Sequence, residues 1–219
     1  MQRFISLLAV SAFIYFPSFS SAISIKFDRD MYAIRPGDSF AVNVLIDPVP
    51  EPGLFSLGLR ILYDDNKVQI HSMDDIILPD ALNSDGFGGD PWKEIDQEVN
   101  GLFYGGVAAG VVQWEGYRDP LLATFQFTDK TSPSSTPDSY NLQLDLFFKG
   151  LSNFVDFNGE ELDGRITSLG MAAVYVEPAQ HIIPEPATVI GLLILFGSTA
   201  VSKIPCFRRT RDRRVSLVL

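Results

Sequence analysis

The sequence predicts an all-β sandwich over residues 23–177. Three observations predict it. Apolar residues in this stretch recur with a period of two, the signature of one-sided strands. Clusters of turn-forming residues separate the runs at short intervals. No long amphipathic helix pattern interrupts them, although a short helix fits residues 92–98. Strands that are apolar on one face bury that face by stacking sheet on sheet.

Residues 1–22 form a secretory signal peptide pattern. Arg3 supplies the positive start, residues 4–16 the apolar run, and Pro17 ends it. Ser20, Ser21 and Ala22 offer a small-residue cleavage site before Ile23. The alternative is an uncleaved anchor, which the short apolar run and the directly following site argue against.

The strand stripes follow in order. Ile23, Ile25 and Phe27 oppose Ser24, Lys26 and Asp28. Phe40, Val42, Val44 and Ile46 alternate with Ala41, Asn43 and Leu45. Phe55, Leu57, Leu59, Ile61 and Tyr63 share one face, against Ser56, Gly58 and Arg60. Leu121, Ala123, Phe125 and Phe127 make another stripe, then Leu142, Leu144 and Leu146, and last Ala172, Val174 and Val176. Arg35-Pro36-Gly37-Asp38, Asp64-Asp65-Asn66, residues 131–137 and Asn158-Gly159 read as turns. The expected core comprises Val42, Val44, Leu57, Leu59, Ile61, Phe125, Leu144 and Val174, because a one-residue slip would turn these side chains to solvent.

Residues 23–183 have the size of one domain and carry no cysteine, since Cys206 lies beyond them. Disulfides are therefore not expected despite an oxidising destination. Ten Lys and Arg stand against twenty-five Asp and Glu, a net charge of −15. This argues against nucleic acid and anionic lipid as partners of the body. It is compatible with divalent cations, basic partners or plain solubility.

The end of the chain has three parts. Residues 178–183 read as a linker into Pro184-Glu185-Pro186, an extended element because proline fixes φ and disfavours helix before it. Residues 187–202 carry no charge and centre on Leu192, Leu193, Ile194, Leu195 and Phe196. As a helix they would span ~24 Å at about 1.5 Å per residue. That falls just short of the ~30 Å hydrocarbon core, and Lys203 at the start of the basic end, 203–214, extends the span by snorkelling. Arg208, Arg209, Arg211, Arg213 and Arg214 then favour the cytoplasmic side.

This tail resembles the PEP-CTERM sorting signal of exported bacterial proteins over residues 184–219. The resemblance implies recognition and cleavage near Pro184-Glu185-Pro186 by an exosortase, a membrane-embedded cysteine transpeptidase. Residues 203–207 and 215–219 depart from the usual pattern. The alternative is an ordinary C-terminal anchor with a proline-rich hinge.

A second resemblance covers most of residues 23–177. Ile25-Lys26-Phe27, the turn Pro36-Gly37-Asp38, the strand ending Tyr63-Asp64, the run Leu121-Leu122-Ala123-Thr124-Phe125, and Asp156-Phe157-Asn158-Gly159 before a closing strand come in the order of a cohesin-type domain. The resemblance implies a nine-stranded jelly-roll sandwich. Cohesins hold calcium-dependent dockerin modules, and related sandwiches bind carbohydrate. The insert 72–100 has no counterpart in that pattern.

Enzyme signatures such as G-x-S-x-G, H-E-x-x-H, the P-loop and G-x-G-x-x-G are missing, and no catalytic residue is assigned. His71 and His181 read as isolated surface histidines. Acidic residues are plentiful enough that a glycosidase pair cannot be judged by counting. Asp80, Asn83, Asp85 and Asp90 are hard oxygen ligands among glycines, which raises calcium as a cofactor. EF-hand spacing fails there, because Ala81 and Trp92 would occupy ligand positions. The alternative is a flexible acidic surface loop. Asp156, Asn158 and Glu160 read first as a turn. Trp92, Trp114 and Tyr117 form either an exposed platform for sugar or packing residues.

The resulting expectation is an exported, non-enzymatic adhesion module. Its partners would be the exosortase, the membrane through the tail, and extracellular polysaccharide or another surface protein. A structural matrix component and, third, a carbohydrate-active hydrolase are the alternatives. An aromatic row beside polar groups would favour sugar, a featureless surface the structural role, and two facing carboxyls in a cleft the hydrolase.

Overall fold

The alternating stripes fold into thirteen strand segments. They are β1 (Ile23–Phe27), β2 (Met31–Ile34), β3 (Ser39–Asp47), β4 (Leu54–Tyr63), β5 (Val68–Gln69), β6 (Ile76–Ile77) and β7 (Trp92–Val99). The series continues with β8 (Leu102–Gly110), β9 (Leu121–Asp129), β10 (Asp138–Leu146), β11 (Val155–Asp156), β12 (Ile166–Leu169) and β13 (Met171–Val176). This computed structural model describes residues 21–86, 89–111 and 116–179, which belong to one unit ending at Ala179. The apolar run of the signal peptide, Trp114, His181, Pro184-Glu185-Pro186, the 187–202 span and the terminal arginines lie outside the described residues. The nine strands implied by the cohesin resemblance are thirteen segments here, of which β5, β6 and β11 have two residues each.

One sheet runs β12-β1-β3-β9-β5, with β6 also on β9. The other runs β2-β13-β10-β4-β8-β7, with β11 on β4. Their inner faces share one core, so the domain is a β-sandwich. All eight expected core residues are buried in it. The whole core lies between Ile23 and Val176.

Two stripes shift where the ladder slips. Val155 pairs with Ser56 and Asp156 with Leu54, so Phe55 is passed over. The extra residue reverses the alternation, and Leu54 rather than Phe55 enters the core. Likewise Val44 pairs with Ala123 and Leu45 with Leu121, which passes over Leu122 and buries it in place of Leu121.

The short helix expected at 92–98 is instead strand β7, antiparallel to β8. The reason lies just beyond it. Asn100 and Gly101 both have positive φ, 55° and 82°, and Val99 pairs with Leu102. Asn-Gly with both residues at positive φ is the two-residue turn whose twist suits a hairpin. The insert 72–100 is thus built in, not appended. Ile76 pairs with Phe125, and Ile76, Leu78 and Leu82 are buried.

The first linker residues are exposed but tethered. The Glu177 N–H donates to the Ile34 carbonyl and the Ala179 N–H to the Ser134 carbonyl.

Candidate functional site

The register of β4, β8 and β7 decides what reaches the outer face of the seven-stranded sheet. Leu57, Leu59 and Ile61 point into the core, so Ser56, Gly58 and Arg60 point out. Arg60 lies opposite Gly106 on β8 and Asp145 on β10. Trp92 lies opposite Ala108, and Glu94 opposite Gly106.

These side chains form a chain of contacts across four strands. Arg60 is 4% exposed and donates through Nε and Nη2 to Asp145 Oδ2. Its guanidinium lies 5.0 Å from the Tyr104 ring centre, a cation–π contact. The Tyr104 hydroxyl donates to Glu94 Oε2 at 2.8 Å. Burial, and then this bond to a carboxylate, push the Tyr104 pKa up and keep the hydroxyl a donor. The other Glu94 oxygen accepts from Trp92 Nε1 at 2.9 Å. Trp92 is nevertheless 60% exposed.

A segment after β10 folds over the same face. A Cβ on Gly106 would stand 2.5 Å from the Phe147 ring, so only glycine lets that ring lie on the sheet. Phe147 and Phe148 pack edge to face, with ring centres 4.7 Å apart. Asn153 holds the segment by donating to the Phe148 and Leu151 carbonyls and accepting from the Phe148 N–H.

A groove of ≈ 400 Å³ results, lined by Phe55, Ser56, Asp85, Trp92, Ala108, Phe148 and Ser152 among others. A second cavity of ≈ 480 Å³ shares Trp92 and is lined also by Met73, Asp74, Asn83, Asp90 and Lys93.

No protein-family model matches the chain, and no curated protein matches it. Solved structures do. The seventh ScaB type I cohesin from Pseudobacteroides cellulosolvens is 12% identical with a TM-score of 0.51, over 74% of this chain and 96% of that one. The domain is a cohesin-like sandwich. The type I cohesin–dockerin complex Coh-OlpA-Doc918 from Clostridium thermocellum also matches, at 18% identity and a TM-score of 0.49, over 72% of this chain and 99% of that one. So does the sixth cohesin of scaffoldin B from Acetivibrio cellulolyticus, in complex with a Cel5 dockerin, at 17% and 0.48, over 72% and 100%.

Within this cohesin-like sandwich the expected site residues separate. Asn83 and Asp90 line the larger cavity, whereas Asp85 lines the groove and accepts the Gly89 N–H. Asp80 is exposed in a short helical turn, Asp80–Leu82. Among the described residues no three His, Cys, Asp or Glu side chains gather to hold a metal. The loop is also fastened, because the Gly110 N–H donates to the Ser84 carbonyl and Ser84 is buried. With the four oxygen ligands divided, melting is expected to be the same in excess calcium and in chelator. A calcium-dependent rise in Tm would assign the ion to this loop.

Asp156 is buried, and its carboxylate accepts the Asn158 and Glu160 N–H groups, which makes 156–160 a turn closed by its own aspartate. Tyr117 is 7% exposed and donates to the Leu121 carbonyl, so it cannot join Trp92 in a surface platform. His71 is exposed beside Gln69. Glu94, Tyr104, Phe148 and Asn153 went unnoticed in the sequence. Only the Trp92–Glu94 spacing of two, on one strand face, carried a signal.

Proposed function

We propose that the chain is an exported, non-catalytic binding module, sorted by its tail to the cell envelope or extracellular matrix, where the face around Trp92 holds a partner. The carrying observation is that Trp92 is mostly exposed yet fixed through Glu94. A large apolar ring left in water loses burial energy in the free protein and regains it on binding. A ring already held in one orientation costs little further entropy to order, and tryptophan is the residue type most enriched at binding hot spots.

The rival readings fit less well. Glu94 and Asp145 are engaged with Trp92, Tyr104 and Arg60, which leaves neither poised as half of an acid–base pair. A purely structural role gives no reason for two concavities around one fixed tryptophan. The cohesin resemblance favours a protein partner; the aromatic groove favours a polymer.

Sorting rests on the two ends of the chain. Strand β1 starts at Ile23, so the expected cleavage site precedes the first strand. The body then faces outward, with the arginines inside by the positive-inside rule. Tagged protein expressed with and without the cognate exosortase should lose its tail only when the enzyme and Pro184-Glu185-Pro186 are both present. A tail kept in every strain would leave a simple membrane anchor. In parallel, Trp92→Ala should weaken retention of the processed protein on envelope or matrix, and unchanged retention would sink the binding reading.

A further inference from the structure

Resting on the binding reading above, we infer that the groove beside Trp92 takes a neutral polysaccharide, a run of pyranose rings without carboxylate, sulfate or phosphate groups. The groove offers the two kinds of contact such a chain needs. Trp92, Phe55 and Phe148 supply aromatic surface, whose electron-rich faces attract the polarised C–H groups on one side of a sugar ring. Ala108 gives a floor with little side chain above the sheet. Ser56 and Ser152 line the same groove, and their hydroxyls make no side-chain hydrogen bond among the described residues. Each can donate and accept, which matches the mixed capacity of sugar hydroxyls.

Size and charge narrow the class. A volume of ≈ 400 Å³ falls within the ~300–1,000 Å³ of small-molecule sites. Among the described residues no Lys or Arg lines the groove, and Asp85 does. The body carries a net charge of −15 over residues 23–183. An anionic polymer would meet repulsion that the groove lining offers no cation to offset. The aromatic walls are also stiff. Trp92 is tied to Glu94, and Phe148 is placed by Asn153, so the groove is formed before the ligand arrives.

The test is affinity electrophoresis of the purified full chain in a sugar-free zwitterionic detergent, through gels containing dextran, galactomannan or hydroxyethyl cellulose, with alginate as the anionic comparison. At least one neutral polymer should retard the protein, and alginate should not. Trp92→Ala and Phe148→Ala should each raise the apparent Kd about tenfold or more. Met171→Ala, exposed on β13 and outside the groove, should leave it unchanged. Retardation by alginate alone, or equal retardation of wild type and Trp92→Ala, overturns the inference. If no neutral polymer binds but Trp92→Ala still loses envelope retention, and protease treatment of the envelope abolishes that retention, the partner is a protein. The glycan inference then fails while the binding module stands. If Trp92→Ala keeps full retention, the binding reading itself fails.

Discussion

Above about pH 10 the domain should lose stability steeply, at up to about 1.4 kcal/mol per pH unit for each buried tyrosine. Four tyrosines contribute. Tyr32, Tyr63, Tyr117 and Tyr140 are all nearly inaccessible to solvent. Burial is the largest cause raising each phenol above its ordinary value of 10. Aspartates add to it: Asp28 at Tyr32, Asp96 at Tyr63, Asp119 at Tyr117 and Asp129 at Tyr140. The sign follows from which state binds the proton. Each folded phenol keeps its proton after the unfolded one has lost it. The stabilisation is therefore complete below the unfolded pKa and falls as pH rises towards the folded value. Chemical denaturation at a series of pH values should give a flat plateau near neutrality and a falling limb above pH 10. Tyr63→Phe should make that limb shallower by one tyrosine's share. It should also raise neutral stability by up to about 1 kcal/mol, because among the described residues the buried Tyr63 hydroxyl has no well-formed hydrogen bond, only the backbone groups of Ile70 and Asp96 near it. A plateau unbroken to about pH 12 would show that these phenols ionise without unfolding the domain.

The fold was legible where burial alternates without interruption. Val42 and Val44, Leu57 to Ile61 along one face, and Leu142 and Leu144 sit where a period of two puts them. The pattern failed at bulges, because a single extra residue at Phe55 or Leu122 swaps the two faces and leaves no compositional trace. It failed also at β7, where a short helix had fitted residues 92–98. There the Asn100-Gly101 pair was the better guide, since local turn chemistry fixes a hairpin whose strand is otherwise too polar to recognise. The site was legible only in Trp92. Its supports come from β8, β10 and the segment after β10, and contacts between residues so far apart in sequence depend on register, which composition does not encode.

Removing the side chain of Asn153 should cost about 3 kcal/mol of stability and erase binding in the groove together. Asn153 is 2% exposed and uses both ends of its amide. Its Oδ1 accepts the Phe148 N–H at 2.7 Å. Its Nδ2 donates to the Phe148 and Leu151 carbonyls and to Asp163 Oδ2. Asp163 in turn accepts the backbone N–H groups of Asn153 and Phe154 at 2.9 and 2.7 Å. Alanine at 153 strands the Phe148 N–H and two carbonyls at the base of the folded segment. Unsatisfied buried groups cost about 1–3 kcal/mol each before relaxation, and partial access of water lowers the sum. Asn153→Asp should be at least as harmful. It keeps the acceptor but loses all three donor bonds, and it sets a second carboxylate against Asp163. Because Asn153 and Asp163 share partners, Asp163→Ala combined with Asn153→Ala should cost less than the two single losses added. Denaturant midpoints of the two single variants and the double variant measure that coupling. Full additivity would mean that the segment is held elsewhere. Neutral-polysaccharide retardation of Asn153→Ala, at a temperature where it remains folded, separates positioning from stability. Phe148 keeps its chemistry in that variant and loses only its support. Retardation equal to wild type would show that the groove does not depend on the wall that Asn153 builds.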